Sequence, residues 1–186
     1  MSGTKTSPPP RQADYGERRE RIPRSKVVDE NGEPLVVYHG TSDDFQVFDP
    51  NKGELGVHFG SAETANNRIE LADYGSFEET YYDLGDNVKP VYLKLEKPYD
   101  LVSDMGDFQN MEMLKEYLAR DGDSGYPFTE LEFSKFDNAK DVRRGLIKKG
   151  YDGITYENTF EGGGTSYIAF SPEQIKSATG NRGTFD

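Results

Sequence analysis

Residues 35–41 read Leu-Val-Val-Tyr-His-Gly-Thr. The first five form a largely β-branched and aromatic run between Pro34 and Gly40. Such a composition between turn-forming residues predicts a buried β-strand over residues 35–39. The strand ends on His39, one of two histidines in the chain. Because backbone amides are unpaired where a strand ends, a histidine followed by Gly and Thr is well placed to meet a polar ligand.

The second histidine lies in a similar setting. Residues 56–61 read Gly-Val-His-Phe-Gly-Ser, which predicts a short strand around His58. Ser61 then stands where a helix cap is expected, since apolar residues follow at helical spacing over residues 62–72. Both histidines are therefore predicted to lie in strands that are flanked by glycine.

The rest of the chain mixes strand and helix signals. Further strands are predicted over 90–95, 154–156 and 167–170, and further helices over 113–118 and 138–149. The last of these helices has the clearest ends, with Asn138 as its cap and Gly150 as its stop. Strands outnumber helices and do not alternate with them regularly, so the predicted fold class is α+β.

Composition divides the chain into a tail and a domain. Residues 1–24 contain four Pro, six Lys or Arg and three acidic residues among very few apolar ones, which predicts a disordered linker. The domain is expected over residues 25–186, where 16 basic and 31 acidic residues give a net charge of -15 against -12 for the whole chain. This field repels nucleic-acid phosphates and anionic lipid, which disfavours nucleic acid as a partner.

Several classes of protein and site are excluded by what the sequence lacks. It contains no run of about 20 apolar residues and no recognisable signal peptide, so we expect a cytoplasmic protein that does not span a membrane. Zero Cys removes disulfides, thiolate nucleophiles and most structural zinc sites. No HxxxH or CxxC spacing supplies a third metal ligand and no GxSxG motif activates a serine, so neither a metal site nor a hydrolytic triad is expected.

Four motifs carry a family resemblance when they are read in order. They are KVVDENGEPLVVYHGT at 26–41, GVHFGS at 56–61, GYDGI at 150–154 and YIAFSPEQIKSA at 167–178. Together they resemble the ADP-ribosyltransferase domains of phage and mobile-element polyproteins and of polymorphic toxins. The resemblance implies an α+β fold in which two small, mostly antiparallel sheets flank an NAD cleft, with peripheral helices.

In this superfamily a His, a Tyr and a Glu surround the nicotinamide end of NAD. The resemblance puts His39 at the first position, where it would bind a ribose hydroxyl, with the Gly40 amide and the Thr41 hydroxyl beside it. Glycine at position 40 also suits close approach of a ligand to the backbone. The second position, usually a Tyr that stacks on nicotinamide, is His58, whose charge near pH 6.5 would add a pH dependence. Phe59 borders the same site and is expected in the core.

The third position is normally an acid just before the last strand, and this sequence has Ser166 there. An acid is needed because breaking the nicotinamide–ribose bond develops positive charge on the ribose. Two acids of the preceding loop are candidates, Glu157 and Glu161. Glu161 is favoured because the three glycines that follow it let the loop fold back.

The NAD pyrophosphate is dianionic and needs local donors in so acidic a domain. Arg68 on the helix after the second strand and the backbone amides of Gly60 and Ser61 at its start are the expected donors. No metal is expected at this site.

The resemblance implies an NAD-dependent transferase that moves ADP-ribose to a protein and releases nicotinamide, as a phage- or toxin-associated effector and a monomer. Three alternatives stay open. With water as acceptor the domain would be an NAD glycohydrolase. With Ser166 in place of the acid it would be an inactive module that binds ADP-ribose or a partner. If the domain acts through its negative charge alone, it would be an acidic mimic of nucleic acid.

Overall fold

The structure is a computed structural model, and it describes residues 25–74, 87–101, 108, 110–119, 125–181, 183 and 185. The linker predicted over residues 1–24 lies outside the described residues. The strands are β1 (Val37–Thr41), β2 (Val57–Phe59), β3 (Asn87–Leu93), β4 (Pro98–Leu101), β5 (Gly153–Glu157), β6 (Thr165–Ala169) and β7 (Ile175–Ser177). The α-helices are α1 (Ala62–Tyr74), α2 (Met111–Ala119), α3 (Glu130–Phe133) and α4 (Ala139–Lys148).

The strands form two small sheets. One has the order β1-β3-β7 and the other the order β2-β6-β5-β4. The β4–β5 pair is parallel, and the other pairs in the described residues are antiparallel. This arrangement confirms the predicted α+β class and the expected pair of mostly antiparallel sheets.

The two sheets meet where β1 lies beside the end of β2. Tyr38 and Gly60 exchange two backbone hydrogen bonds of 2.9 and 3.0 Å. One residue further along β1, the His39 side chain bonds to the carbonyl oxygen of His58 at 2.8 Å. The junction therefore brings together the two histidines that the sequence separates by 19 positions.

The buried apolar residues form two clusters, one under the four-stranded sheet and one shared by both sheets, to which β2 adds Val57 and Phe59. The four-stranded sheet covers side chains of α2 and α4, including Leu114, Leu118, Val142 and Leu146, which are fully buried. The three-stranded sheet contributes Val91 and Leu93 to the other cluster, and Leu95 follows on the same face. Each buried aliphatic side chain contributes roughly 1.5–3 kcal/mol relative to exposure.

The two predicted helix caps and the predicted glycine stop are confirmed. The hydroxyl oxygen of Ser61 accepts the backbone N–H of Thr64 at 3.0 Å, and the side-chain oxygen of Asn138 accepts that of Asp141 at 3.2 Å. Gly150 follows α4 with a φ of +86°, a conformation that glycine tolerates best.

Other details differ from the sequence expectations. β1 begins two residues later than predicted, because Leu35 donates its amide to Val27 and belongs to the preceding hairpin. Ile147 of α4, an apolar residue next to the buried Leu146, is half exposed. No helix within the described ranges combines the length and apolarity needed to cross a bilayer.

Candidate functional site

A pocket of about 260 Å³ opens at the junction of the two sheets. We call it the main pocket; its wall includes His39, His58, Arg68 of α1 and several residues between 43 and 53. A narrower side recess shares His58 and Arg68 with it and adds Glu161. The main pocket is near the lower end of the size range of small-molecule sites, so a dinucleotide would extend beyond it.

His39 has a defined tautomer and packs among three phenylalanine rings. Its Nδ1 lies 2.8 Å from the carbonyl oxygen of His58, and a carbonyl only accepts, so Nδ1 carries the proton. The ring packs against Phe45, Phe48 and Phe59 at centroid distances of 6.0, 5.3 and 5.6 Å. Burial lowers the pKa of His39 below 6.5. The hydrogen bond to the His58 carbonyl raises this pKa, and the nearby charge of Arg68 lowers it. A neutral ring protonated on Nδ1 has a lone pair on Nε2, which can accept a hydrogen bond from a hydroxyl group.

His58 is held by two aromatic neighbours. Its Nδ1 lies 3.3 Å from the hydroxyl oxygen of Tyr156, and its ring meets Phe108 edge to face at 5.0 Å. Burial lowers the pKa of His58 well below 6.5. The charge of Arg68 lowers it further, as does His39 when that ring is doubly protonated. The sequence-based expectation that His58 changes charge near pH 6.5 is therefore wrong, since this environment disfavours the imidazolium.

Of the two candidate acids, Glu161 is the one that lies near the histidines. Its carboxylate accepts hydrogen bonds from Nη1 of Arg68 at 3.2 Å and from Nδ2 of Asn158 at 3.1 Å, and its side chain is 17% exposed. Glu157 is exposed at the end of β5 and belongs to neither the main pocket nor the side recess. The 3-D arrangement thus separates two acids that are four positions apart in sequence.

Ser166, at the position where the resemblance implied an acid, is buried in β6. It is 1% exposed and borders the side recess, and its hydroxyl oxygen accepts from Nδ2 of Asn158 at 3.2 Å. Asn158 was not singled out from the sequence. The available signal was its place between a strand and a glycine-rich loop, where Asn commonly bonds to nearby backbone amides.

The packing of α1 against β1 requires a glycine at position 40. A Cβ atom at this position would lie 2.2 Å from the carbonyl oxygen of Ala65, so α1 can approach β1 only across a glycine. That the glycine also lets a ligand approach the backbone stays a prediction, and Gly40 lines both the main pocket and the side recess. Its N–H points away from β3, on the same edge of β1 as the backbone groups that Tyr38 directs to Gly60, because backbone groups alternate in direction along a strand.

Several of the other predicted contact groups already have hydrogen-bond or packing partners within the protein. The Gly60 amide already donates to Tyr38, so the expectation that it binds pyrophosphate is wrong for this arrangement. Ser61 uses its hydroxyl oxygen as the cap of α1, and Thr41 uses its hydroxyl oxygen to accept from Asp43 at 3.0 Å. Phe59 is 2% exposed and belongs to the core, as expected, with its ring against His39.

The main pocket has a wall that sequence reasoning missed. Its residues are Asp43, Phe45, Val47, Phe48, Asp49, Lys52 and Gly53. Arg143 of α4 is buried and fixes this wall from behind, since its guanidinium donates to the Pro50 carbonyl and to the side-chain oxygen of Asn51 at 2.7 Å. The partners are more than 90 positions apart, which explains why local patterns did not reveal them.

Local cations moderate the acidity of the domain at this place. Arg68 reaches both the main pocket and the side recess, and Lys52 lines the main pocket beside Asp43, at 3.1 Å. Lys89 lies over the ring of Phe45 at 4.7 Å and donates to its carbonyl oxygen. An anionic ligand in the main pocket would therefore meet two lining cations, Arg68 and Lys52, beside the lining carboxylates Asp43 and Asp49.

A metal ion has no evident site in the described ranges, which contain no group of three or more His, Asp and Glu side chains placed to hold one.

Comparison with sequence models of protein families identifies relatives of this chain. The sequence model described as ADP-ribosyltransferase in polyvalent proteins matches residues 29–185. No curated protein and no solved structure matches the chain. The match covers most of the chain and includes both histidine strands and the Glu161 loop. This chain belongs to the family of ADP-ribosyltransferase domains of polyvalent proteins.

Proposed function

We propose that this domain transfers ADP-ribose from NAD to a protein and releases nicotinamide. The observation that carries the proposal is the convergence of His39, His58, Arg68 and Glu161 on adjoining pockets at the sheet junction. His39 and His58 are positions at which the family resemblance implied NAD contacts, and Arg68 is the donor expected for the dianionic pyrophosphate. The fourth, Glu161, supplies the carboxylate that Ser166 lacks.

Each residue has a role that follows from its geometry. Nε2 of His39 accepts a hydrogen bond from a ribose hydroxyl, which orients the sugar. Arg68 is half exposed, so its guanidinium can turn to the pyrophosphate without a large desolvation cost. Neutral His58 contacts the nicotinamide ring without adding a positive charge beside the cationic pyridinium of NAD.

Glu161 acts on the bond that breaks. The N-glycosidic bond cleaves with its electron pair leaving on nicotinamide, and the ribose develops oxocarbenium character that a nearby carboxylate stabilises. A nucleophile of the acceptor then forms the new bond to the same ribose carbon and loses its proton, which Glu161 can accept. With water in place of the protein nucleophile, the same steps hydrolyse NAD.

The acidity of the domain favours a protein acceptor over a nucleic-acid acceptor. The quoted motifs support the further proposal of a phage- or toxin-associated effector that acts as a monomer in the cytoplasm of a host or target cell.

The test is an incubation of the protein with NAD labelled on its adenylate phosphate, with and without a cell lysate. We expect free nicotinamide and label on a lysate protein. Release of nicotinamide without label on any protein identifies an NAD glycohydrolase. Binding of ADP-ribose without release of nicotinamide identifies an inactive binding module. If NAD and ADP-ribose do not bind at all, the transferase proposal fails and an acidic mimic becomes the better account.

A further inference from the structure

Asn158 is a fully buried amide at the root of the Glu161 loop. It directly follows β5 and has 0% exposure, and both its side-chain oxygen and its side-chain nitrogen have hydrogen-bond partners. A buried polar group must satisfy its hydrogen bonds, so the surrounding loop is constrained to the geometry that satisfies this one.

The oxygen of the Asn158 side chain shapes the loop backbone. It accepts the amides of Phe160 at 3.1 Å and of Glu161 at 2.8 Å. The backbone amide of Asn158 donates to the carbonyl of Gly164 at 2.8 Å and closes the loop. The intervening glycines have φ values of +122°, +84° and +83°, which permit so tight a return.

The nitrogen of the same side chain holds the acid itself. It donates to Oε2 of Glu161 at 3.1 Å and to the Ser166 hydroxyl at 3.2 Å. The carboxylate is therefore linked through Asn158 to the strand position where the resemblance implied an acid. Its other oxygen accepts from Arg68, which is half exposed and is the proposed pyrophosphate donor. If Arg68 turns toward NAD, the bond from Asn158 still holds the carboxylate.

We propose that Asn158 is a positioning residue that holds the Glu161 carboxylate in its reactive place, a role that rests on the proposed function. It lines neither the main pocket nor the side recess, so it acts through Glu161 and not on NAD directly.

Asn158→Asp separates this role from general support of the loop. Aspartate keeps an oxygen for the two loop amides but loses the amide donor and puts a second carboxylate beside Glu161. We expect kcat for nicotinamide release to fall by about 10- to 100-fold, as misplacement of a reacting group can do. The KM for NAD should stay within about twofold, because binding contacts are retained. Asn138→Asp, the same change at the cap of α4, is the matched control and should leave kcat unchanged.

A stability comparison tests the contact without relying on activity. Asn158→Asp should lower the thermal midpoint more in the wild-type background than in a Glu161→Gln background, where the amide can donate to the new carboxylate. Equal losses in both backgrounds, or a wild-type kcat for Asn158→Asp, would overturn the inference. If the wild-type protein releases no nicotinamide, the proposed function fails, while the stability comparison still decides whether Asn158 holds residue 161.

Discussion

The two sides of the site are built in different ways. On one side, His39 and His58 lie in strands whose positions are set by backbone pairing, and one histidine bonds directly to the backbone of the other. On the other side, Glu161 stands in a loop and is held by two side chains, Arg68 and Asn158. The histidine side depends on the sheets, whereas the carboxylate side depends on a few side-chain bonds. Substitutions should therefore affect the two sides differently.

The largest effect is expected on the carboxylate side. Glu161→Gln keeps the shape of the side chain and removes its charge, so kcat for nicotinamide release should fall by about 10²- to 10³-fold. Glu157→Gln, the same change on the exposed acid at the start of the same loop, should leave kcat unchanged. Steady-state assays of both variants check this difference, and a reversal of the two results would move the catalytic acid to Glu157.

On the histidine side, His39→Ala should lower kcat/KM by about 10- to 100-fold, because the ribose loses its hydrogen bond and the aromatic ring packing loosens. His39→Asn is the sharper variant, since its amide can still donate to the His58 carbonyl but lacks the acceptor that corresponds to Nε2. We expect no recovery of kcat/KM with Asn. Recovery would show that His39 serves the sheet junction alone.

Arg68 connects the two sides, and its loss should weaken binding more than chemistry. Arg68→Ala should raise the KM for NAD by about 10-fold, in keeping with one charge-assisted bond at a half-exposed position. Lys148→Ala on α4 removes a cation far from the pocket and is the control for net charge. A KM unchanged by Arg68→Ala would remove Arg68 from the pyrophosphate site.

The smallest expected effect is a pH dependence of stability on the histidine side. The lowered pKa values of His39 and His58 mean that the unfolded chain takes up protons below about pH 6.5 before the folded chain does. Stability is therefore fully present above pH 6.5 and falls as the pH drops toward 5. The thermal midpoint should decrease by a few °C over this range. His58→Gln should flatten the decrease, and an identical pH profile in that variant would contradict the assignment.

Local sequence patterns predicted the histidine side well for a physical reason. Strand composition and helix caps act over a few residues, so β1, β2 and α1 were predicted close to their observed bounds, including the role of Ser61. By contrast, β4 was missed, because Pro98 and Asp100 interrupt the alternation expected of a strand.

The carboxylate side and the pocket wall depend on contacts between distant parts of the chain. Arg68 and Glu161 are 93 positions apart, and Arg143 and Asn51 are 92 apart. The glycines after Glu161 favoured it over Glu157, but no local pattern shows which of the two acids α1 will meet. Asn158 was overlooked because its significance depends on where Glu161 and Ser166 come together.

The central claim is that Glu161 faces the bond of NAD that breaks. The most direct test is a crystal structure of the Glu161→Gln variant with NAD bound. We predict that the substituted side chain at position 161 lies about 3–3.5 Å from the nicotinamide ribose, the separation of groups poised to react. The same structure should show His39 on a ribose hydroxyl and Arg68 on the pyrophosphate. NAD bound away from the sheet junction, or a nicotinamide ribose that faces Glu157 and not position 161, would contradict the account.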